Sequence, residues 1–381
     1  MLKYKYCLPI EQLFLDVLSA ALWSKPLQAA SFTSLSLADW KALVAMAHKQ
    51  SVNALVADQV LSLPAEALPP QEVKMQLLAH IEQTKSLNHR RLEVLAALKE
   101  EYNQAGFPFV LMKGPASGHY YPNPMLRNPG DIDILLYGKG DYERSLSWAL
   151  KKGYNAKDAG HIHYNYDWNG VVVEPHRRIS YFDRSSYDRM FIEWEKEVMG
   201  DGFPILELDA SGGQGTVDVW ALPVEMNAFF LFHHTFRHFI HQGVGLRQLC
   251  DWVLFLQHHY KQIDPDAFIE RVCSYKLLYP MQVFASVAVQ YLEASPAVFP
   301  FVIGAAKEHH VRAVAADILR VGNFGFHKPG KKRPDGKYSG MWYSYVETVK
   351  RTFRFASLSC SHIAVLPHKK LINRLRIGFD A

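Results

Sequence analysis

Residues 161–176 constrain the fold more than any other stretch of this chain. Asn169-Gly170 separates two runs, His161–Trp168 and Val171–His176, in which apolar and polar residues alternate. Asn-Gly tolerates the two positive-φ positions of a tight hairpin turn, and alternation marks strands with one buried face. A two-residue turn also sets the register: Trp168 faces Val171, Asn165 faces Glu174 and His163 faces His176. Directly opposed residues share a face. One face therefore carries His163, Asn165, Asp167, Glu174 and His176, and the other carries Ile162, Tyr164, Tyr166, Trp168, Val171 and Val173. Two histidines and two acids are not the Lys/Thr/Ser mix of a plain solvent face, although a surface ion cluster is the competing reading.

Around this hairpin the periodicity changes twice. Leu13, Phe14, Val17, Leu18, Ala21 and Leu22 recur at helical spacing, as do residues in Asp39–Val52 and Gln71–Lys99. After Gly106 the pattern turns strand-like: Phe107–Met112 reads as a buried strand and Asp131–Tyr137 as a half-buried one. Asp141–Lys152 reads as a helix, and Thr216–Trp220 as a strand after a Ser211-Gly212-Gly213 loop. Helical spacing returns in Pro223–Ile240 and Val244–His258, and the Gly/Pro/Lys-rich Val321–Gly340 reads as a loop. The expected class is α/β (α+β), a small mixed-sheet core at 96–220 between an N-terminal helical region at 1–95 and a C-terminal helical domain with a basic tail at 221–381. A chain of 381 residues with about half its residues apolar can build cores of that size.

Composition excludes several classes. The four cysteines, Cys7, Cys250, Cys273 and Cys360, form no C-x-x-C pair, which argues against a disulfide framework or a structural zinc site. Glu11 and Asp16 interrupt the N-terminal apolar stretch, so no signal peptide is expected. Glu293, Pro296 and Pro300 break the longest apolar region, so no membrane span is expected and the default is a cytoplasmic protein. A net charge of +5 argues against an extended nucleic-acid groove while leaving a small tRNA-end contact open. The basic excess gathers in Lys328–Lys337 and Lys369–Arg376, where Arg374 and Arg376 read as a solvated helix face or a contact for an acidic partner.

The chemistry centres on Asp131 and Asp133. Two apart on a strand, both carboxylates point to one face, while Ile132, Ile134 and Leu136 point to the other. Parallel carboxylates repel unless a cation lies between them, and hard divalent ions such as Mg²⁺ take oxygen ligands of this kind. Gly130 leaves room for a ligand beside the pair. If the hairpin lies beside this strand, Glu174 joins the two aspartates. Lys113-Gly114-Pro115, at the end of the first strand, reads as a turn whose free amides suit phosphate, with Lys113 and Arg127 adding positive charge. There is no P-loop motif.

The runs LMKGPASGHYYPNPMLRNPGDIDILL and VVVEPHRRI resemble the uncharacterised nucleotidyltransferases of the DNA polymerase β-like superfamily. The segment LFHHTFRHFIHQGVGLRQLCDWVLFL resembles that family's C-terminal helical region, and the similarity covers roughly Lys113–Leu256. The matching positions are Gly114 with Ser117 in the turn, Asp131 and Asp133 on the next strand, and Glu174 on a later one. The resemblance implies transfer of a nucleoside monophosphate from an NTP such as ATP to an acceptor hydroxyl, with two Mg²⁺ or Mn²⁺ ions. Asp131 and Asp133 would hold the metals, Glu174 would complete the acceptor-side metal or act as base, and Lys113, Ser117 and Arg127 would hold the phosphates. In this chain Pro115 follows Gly114 where the family pattern has Ser or Gly, so one amide donor is lost unless Ser117 replaces it.

His234 and His238, one turn apart on a helix, carry no H-E-x-x-H motif and read as packing or substrate contacts. The resemblance implies that this helix faces the site. With His163 and His176, and with Arg247 and Asp251, they are the acceptor-side candidates; Arg247 and Asp251 have the spacing of a helix-surface ion pair. The acceptor, small or macromolecular, is not legible, nor are the base preference and the oligomeric state; Tyr120, Tyr121 and Tyr164 are equal candidates for stacking on a base. Two alternatives stand beside catalysis: a degenerate nucleotide-binding protein, favoured by Gly114-Pro115, and a toxin–antitoxin nucleotidyltransferase acting on RNA or protein.

Overall fold

The computed structural model describes residues 9–158, 162–209, 215–323 and 336–369. The N-terminal part is helical: α1 (Pro9–Trp23), α2 (Leu37–Lys49), α3 (Asn53–Leu61) and the long α4 (Gln71–Gln104). The sheet region follows with β1 (Phe109–Leu111), α5 (Pro115–Gly118), β2 (Ile132–Leu136), α6 (Asp141–Lys151) and the two-residue β3 (Lys157–Asp158). It continues with β4 (Tyr164–Trp168), β5 (Val171–His176), α7 (Ser185–Gly200), β6 (Ile205–Asp209) and β7 (Thr216–Ala221). The remainder is helical: α8 (Val224–His241), α9 (Leu246–His259), α10 (Pro265–Ser274), α11 (Leu278–Leu292), α12 (Glu308–Val321), α13 (Lys337–Phe355) and α14 (Cys360–Ile363).

Local signals explain the boundaries. Ser36 caps α2 in a reciprocal capping box with Asp39, and Asp264 caps α10 by accepting from the amides of Asp266 and Ala267. Asn169 (φ 53°) and Gly170 (φ 78°) close the hairpin as Asn-Gly requires, and the Asp167 carboxylate accepts from the Gly170 amide at 2.8 Å. Trp168 pairs with Val171, Tyr166 with Val173, and His163 bridges to His176, which is the expected register.

The sheet order is β3-β4-β5-β2-β1-β7-β6. β5 runs parallel to β2, and the register sets Glu174 beside Asp133. β2 is antiparallel to β1, and β1 is parallel to β7. One face of the sheet buries Ile132, Ile134, Leu136, Tyr164, Tyr166 and Val173 against the second half of α4 and α6. The other face turns Leu135 and Val110 into a larger core shared by the N-terminal and C-terminal helices.

Several expectations need adjustment. The boundary near residue 95 falls inside α4, whose first half packs into the larger core and whose second half packs under the sheet. α12 runs through Val321 and α13 begins at Lys337, so helix occupies both ends of the expected 321–340 loop; residues 324–335 lie outside the described residues. The Ser211-Gly212-Gly213 loop and the tail with Arg374 and Arg376 lie outside them too. Among the described residues no single helix is long and apolar enough to cross a membrane. The three described cysteines are free.

Candidate active site

β1 ends by delivering Lys113 and Gly114 to the same edge at which β2 begins. Gly114 has φ +71°, and a Cβ there would lie 2.5 Å from the backbone oxygen of Asp131. Only glycine fits, and the close approach it permits is to the chain entering β2. Gly130 is different: a Cβ there would meet nothing nearer than Arg247 Nη1 at 3.9 Å, so the room expected beside the acid pair exists.

Asp131, Asp133 and Glu174 line one cavity of about 520 Å³ between the sheet edge and helices α8 and α9. Asp131 is exposed at its mouth. Loss of hydration there, with Glu174 and Asp133 nearby, pushes its carboxyl up to about 6. Asp133 is 6% exposed. Burial pushes its carboxyl upward, but Lys113, whose Nζ lies 3.1 Å from Oδ1, and His176, at 3.3 Å, outweigh that and hold it well below the usual range. Lys113 also donates to His234 Nε2 at 2.9 Å, and His238 Nε2 lies 3.1 Å from the same atom. Burial first, and then Lys113 and Arg237, push both of these histidines well below their ordinary value. α8 lines the same cavity as the acids.

His163 and His176 stack with ring centroids 4.8 Å apart. Their Nε2 atoms lie 3.9 and 3.7 Å from Glu174 Oε2. His163 Nδ1 and both nitrogens of His176 are buried without a well-directed hydrogen bond. Among the described residues, His163, Glu174 and His176 are the group whose ligand atoms converge, all within 4.8 Å of one another. Asp131 and Asp133 line the same cavity outside that tight group.

Other expected residues take different places. Ser117 is buried and does not border the cavity, because Pro115–Gly118 forms a short helix that turns it inward. Arg127 is buried, with Nε and Nη2 donating to the two Asp251 oxygens at 2.8 Å each. Asp251 thus pairs with Arg127, 124 positions away, and not with its helical neighbour Arg247. Arg247 instead donates to the carbonyls of Asn128 and Pro129, at 3.2 and 3.1 Å, with its Nε unpartnered. Tyr120, Tyr121 and Tyr164 are all buried and none borders the cavity, so no stacking site is formed by them.

Arg237 was not anticipated. It lines the cavity, lies over the Tyr181 ring at 4.1 Å, and leaves Nη1 without a partner. The signal was an arginine among four histidines, His233, His234, His238 and His241, on one helix. Ser180 also lines the cavity, its Oγ 3.0 Å from His233 Nδ1.

The Arg127–Asp251 pair carries a pH prediction. Burial opposes ionisation of Asp251, but Arg127, Arg247 and the Tyr121 hydroxyl hold its carboxyl below the ordinary value of 3.8. A depressed carboxyl stabilises the fold at pH above its unfolded value, and that contribution is lost as pH falls through the folded one. Asp251→Asn leaves Arg127 buried and uncompensated, so the variant is expected to be about 3 kcal/mol less stable at pH 7. In urea unfolding the gap to wild type should narrow once the pH drops below about 4. A gap independent of pH would show that the carboxylate charge is not what matters.

A pair of acids at the start of β2, a third acid on its parallel neighbour β5 and a glycine turn beside them together have the layout of a nucleotidyltransferase core. A family model described as uncharacterised nucleotidyltransferase matches residues 36–293, and the chain belongs to that family. Its mixed sheet with flanking helices is consistent with the polymerase β-like superfamily. No curated protein and no solved structure matches it.

Proposed function

We propose that this chain transfers a nucleoside monophosphate from an NTP to an acceptor hydroxyl. The observation that carries the reading is the β2–β5 register, which sets Glu174 beside Asp133 on one face above a cavity. Asp131, Asp133 and Glu174 suit one or two divalent ions, Mg²⁺ or Mn²⁺, which when bound would stabilise charge on the triphosphate and acidify the acceptor hydroxyl. Lys113 and Arg247 supply positive charge to the phosphates, and Arg127 contributes by fixing Asp251. Glu174 takes the hydroxyl proton. The acceptor oxygen then forms a bond to the α-phosphorus, the bond from that phosphorus to the bridging oxygen breaks, and pyrophosphate leaves with the electron pair.

The test is calorimetry and pyrophosphate release with ATP, GTP, CTP and UTP, with and without Mg²⁺. Mg²⁺-dependent binding of at least one NTP is expected, with turnover when an acceptor is supplied. No affinity for any NTP would sink the reading. The second reading, a non-catalytic nucleotide-binding protein, is favoured by Pro115 at the first position of α5, which has no amide to give a phosphate. Binding without turnover across acceptors would decide for it.

A further inference from the structure

We propose that His163, Glu174 and His176 form a transition-metal position on the β4–β5 hairpin, one that prefers ions such as Zn²⁺ or Co²⁺ to Mg²⁺. It lies in the cavity of the proposed nucleotidyltransferase site, but does not depend on nucleotide chemistry.

The geometry is close to what such an ion needs. Two ligands bound tetrahedrally at about 2.0–2.1 Å lie about 3.3 Å apart. The Glu174 Oε2 to His176 Nε2 and His163 Nε2 distances are 3.7 and 3.9 Å. Movements of about half an ångström close both, and the two histidine ligand atoms, which lie within 4.8 Å of each other, must draw together as well. The hairpin supplies the rigidity: His163 and His176 are cross-strand partners, and Glu174 follows two positions before His176 on the same face.

Chemistry selects the ion. Imidazole nitrogens suit zinc and its late transition-metal neighbours, whereas Mg²⁺ demands oxygen ligands at short, nearly octahedral distances. Buried polar atoms are ordinarily satisfied, yet His163 Nδ1 and His176 Nδ1 are buried without a hydrogen-bond partner among the described residues, and His176 Nε2 has only poorly directed approaches to Asp133 and Glu174 at 3.3 and 3.7 Å. An ion on the two Nε2 atoms would give one of these three nitrogens, His176 Nε2, a ligand role. Asp133 adjoins this group, its Oδ1 3.3 Å from His176 Nε2, and with Asp131 it offers the oxygen-only donors that a hard ion takes.

The experiment is metal binding by the full chain, stripped of metal and without nucleotide. Equilibrium dialysis against Zn²⁺ and against Mg²⁺ is paired with visible absorption of the Co²⁺-loaded protein. One equivalent of Zn²⁺ is expected, held at least about a hundredfold more tightly than Mg²⁺, with Co²⁺ bands of a nitrogen-containing low-coordinate site. His163→Ala and His176→Ala should each weaken Zn²⁺ by at least about tenfold and shift the Co²⁺ bands. Thermal unfolding in metal-free buffer checks that both variants fold, and His163→Gln gives a second, milder variant at the more exposed ring. The inference is overturned if no stoichiometric Zn²⁺ binds. It is equally overturned if the histidine variants leave affinity and spectrum unchanged while Asp131→Asn abolishes both, since the ion would then sit on the aspartates. Zn²⁺ bound as expected by a chain that binds no Mg²⁺–NTP would leave this site standing and remove the nucleotidyltransferase reading instead.

Discussion

Asp133→Asn is expected to lower Mg²⁺-dependent NTP turnover by about a thousandfold or more in a chain that still folds. The substitution keeps the shape of the side chain and removes one negative charge from the start of β2. Loss of several kcal/mol of transition-state charge stabilisation corresponds to roughly that factor. The folding cost is smaller. Lys113 loses its carboxylate, but its side chain keeps 18% of its exposure at the cavity and His234 still accepts from it. A fully buried pair broken on one side costs about 3–5 kcal/mol; contact with cavity water brings the expectation here to about 1–2 kcal/mol. Pyrophosphate release separates the two effects from thermal unfolding. Full turnover in a folded Asp133→Asn protein would remove Asp133 from the chemistry. Asp131→Asn serves as the companion: Asp131 is exposed, and Lys113 and Arg247 act on it without a close ion pair, so its loss should affect turnover with little change in unfolding.

Much of this site was legible because short-range rules govern it. Asn169-Gly170 dictated the turn, the turn dictated the register, and the register put Glu174 and the two histidines on one face. The Asp131/Asp133 spacing did the same for β2. What the sequence could not supply was the partner of each element. That β5 lies against β2, and parallel to it, depends on a crossover through α6, β3 and β4. Arg127 and Asp251 meet across 124 positions, whereas the helical spacing of Arg247 and Asp251 suggested a pair that the fold does not make. Ser117 illustrates the same limit from the other side. Its motif position matches a phosphate turn, but the direction of its side chain is set by a four-residue helix that begins at Pro115. The elements with weak periodicity were missed for a related reason. β6 leaves Ile205 exposed at the sheet edge, and α7 is held by Arg178, Asp188 and Glu195 contacts that no local pattern announces.

Gly114→Ala should disable the site more thoroughly than its one methyl group suggests. The residue sits at φ +71° and ψ −117°, a region natural to glycine and strained for any other residue. Strain of that kind costs about 1–3 kcal/mol. The new Cβ would also lie 2.5 Å from the Asp131 carbonyl oxygen, which is backbone and cannot rotate away. Relief requires moving either the turn or the entry to β2, and the Met112 amide bonded to the Asp133 carbonyl at 2.9 Å ties the two together. Both routes displace Asp131 relative to Glu174. The expected result is a loss of about 2–4 kcal/mol in unfolding free energy and at least about a hundredfold in turnover, since a misplacement near 1 Å has that effect. Gly130→Ala is the contrast, because its added Cβ meets only the tips of Arg247 at 3.9 and 4.0 Å. It should unfold as wild type does, and any change in turnover would report on ligand space beside the acids. Equal stability losses in the two variants would mean that the close packing of Gly114 on Asp131 does not hold the acid pair in place.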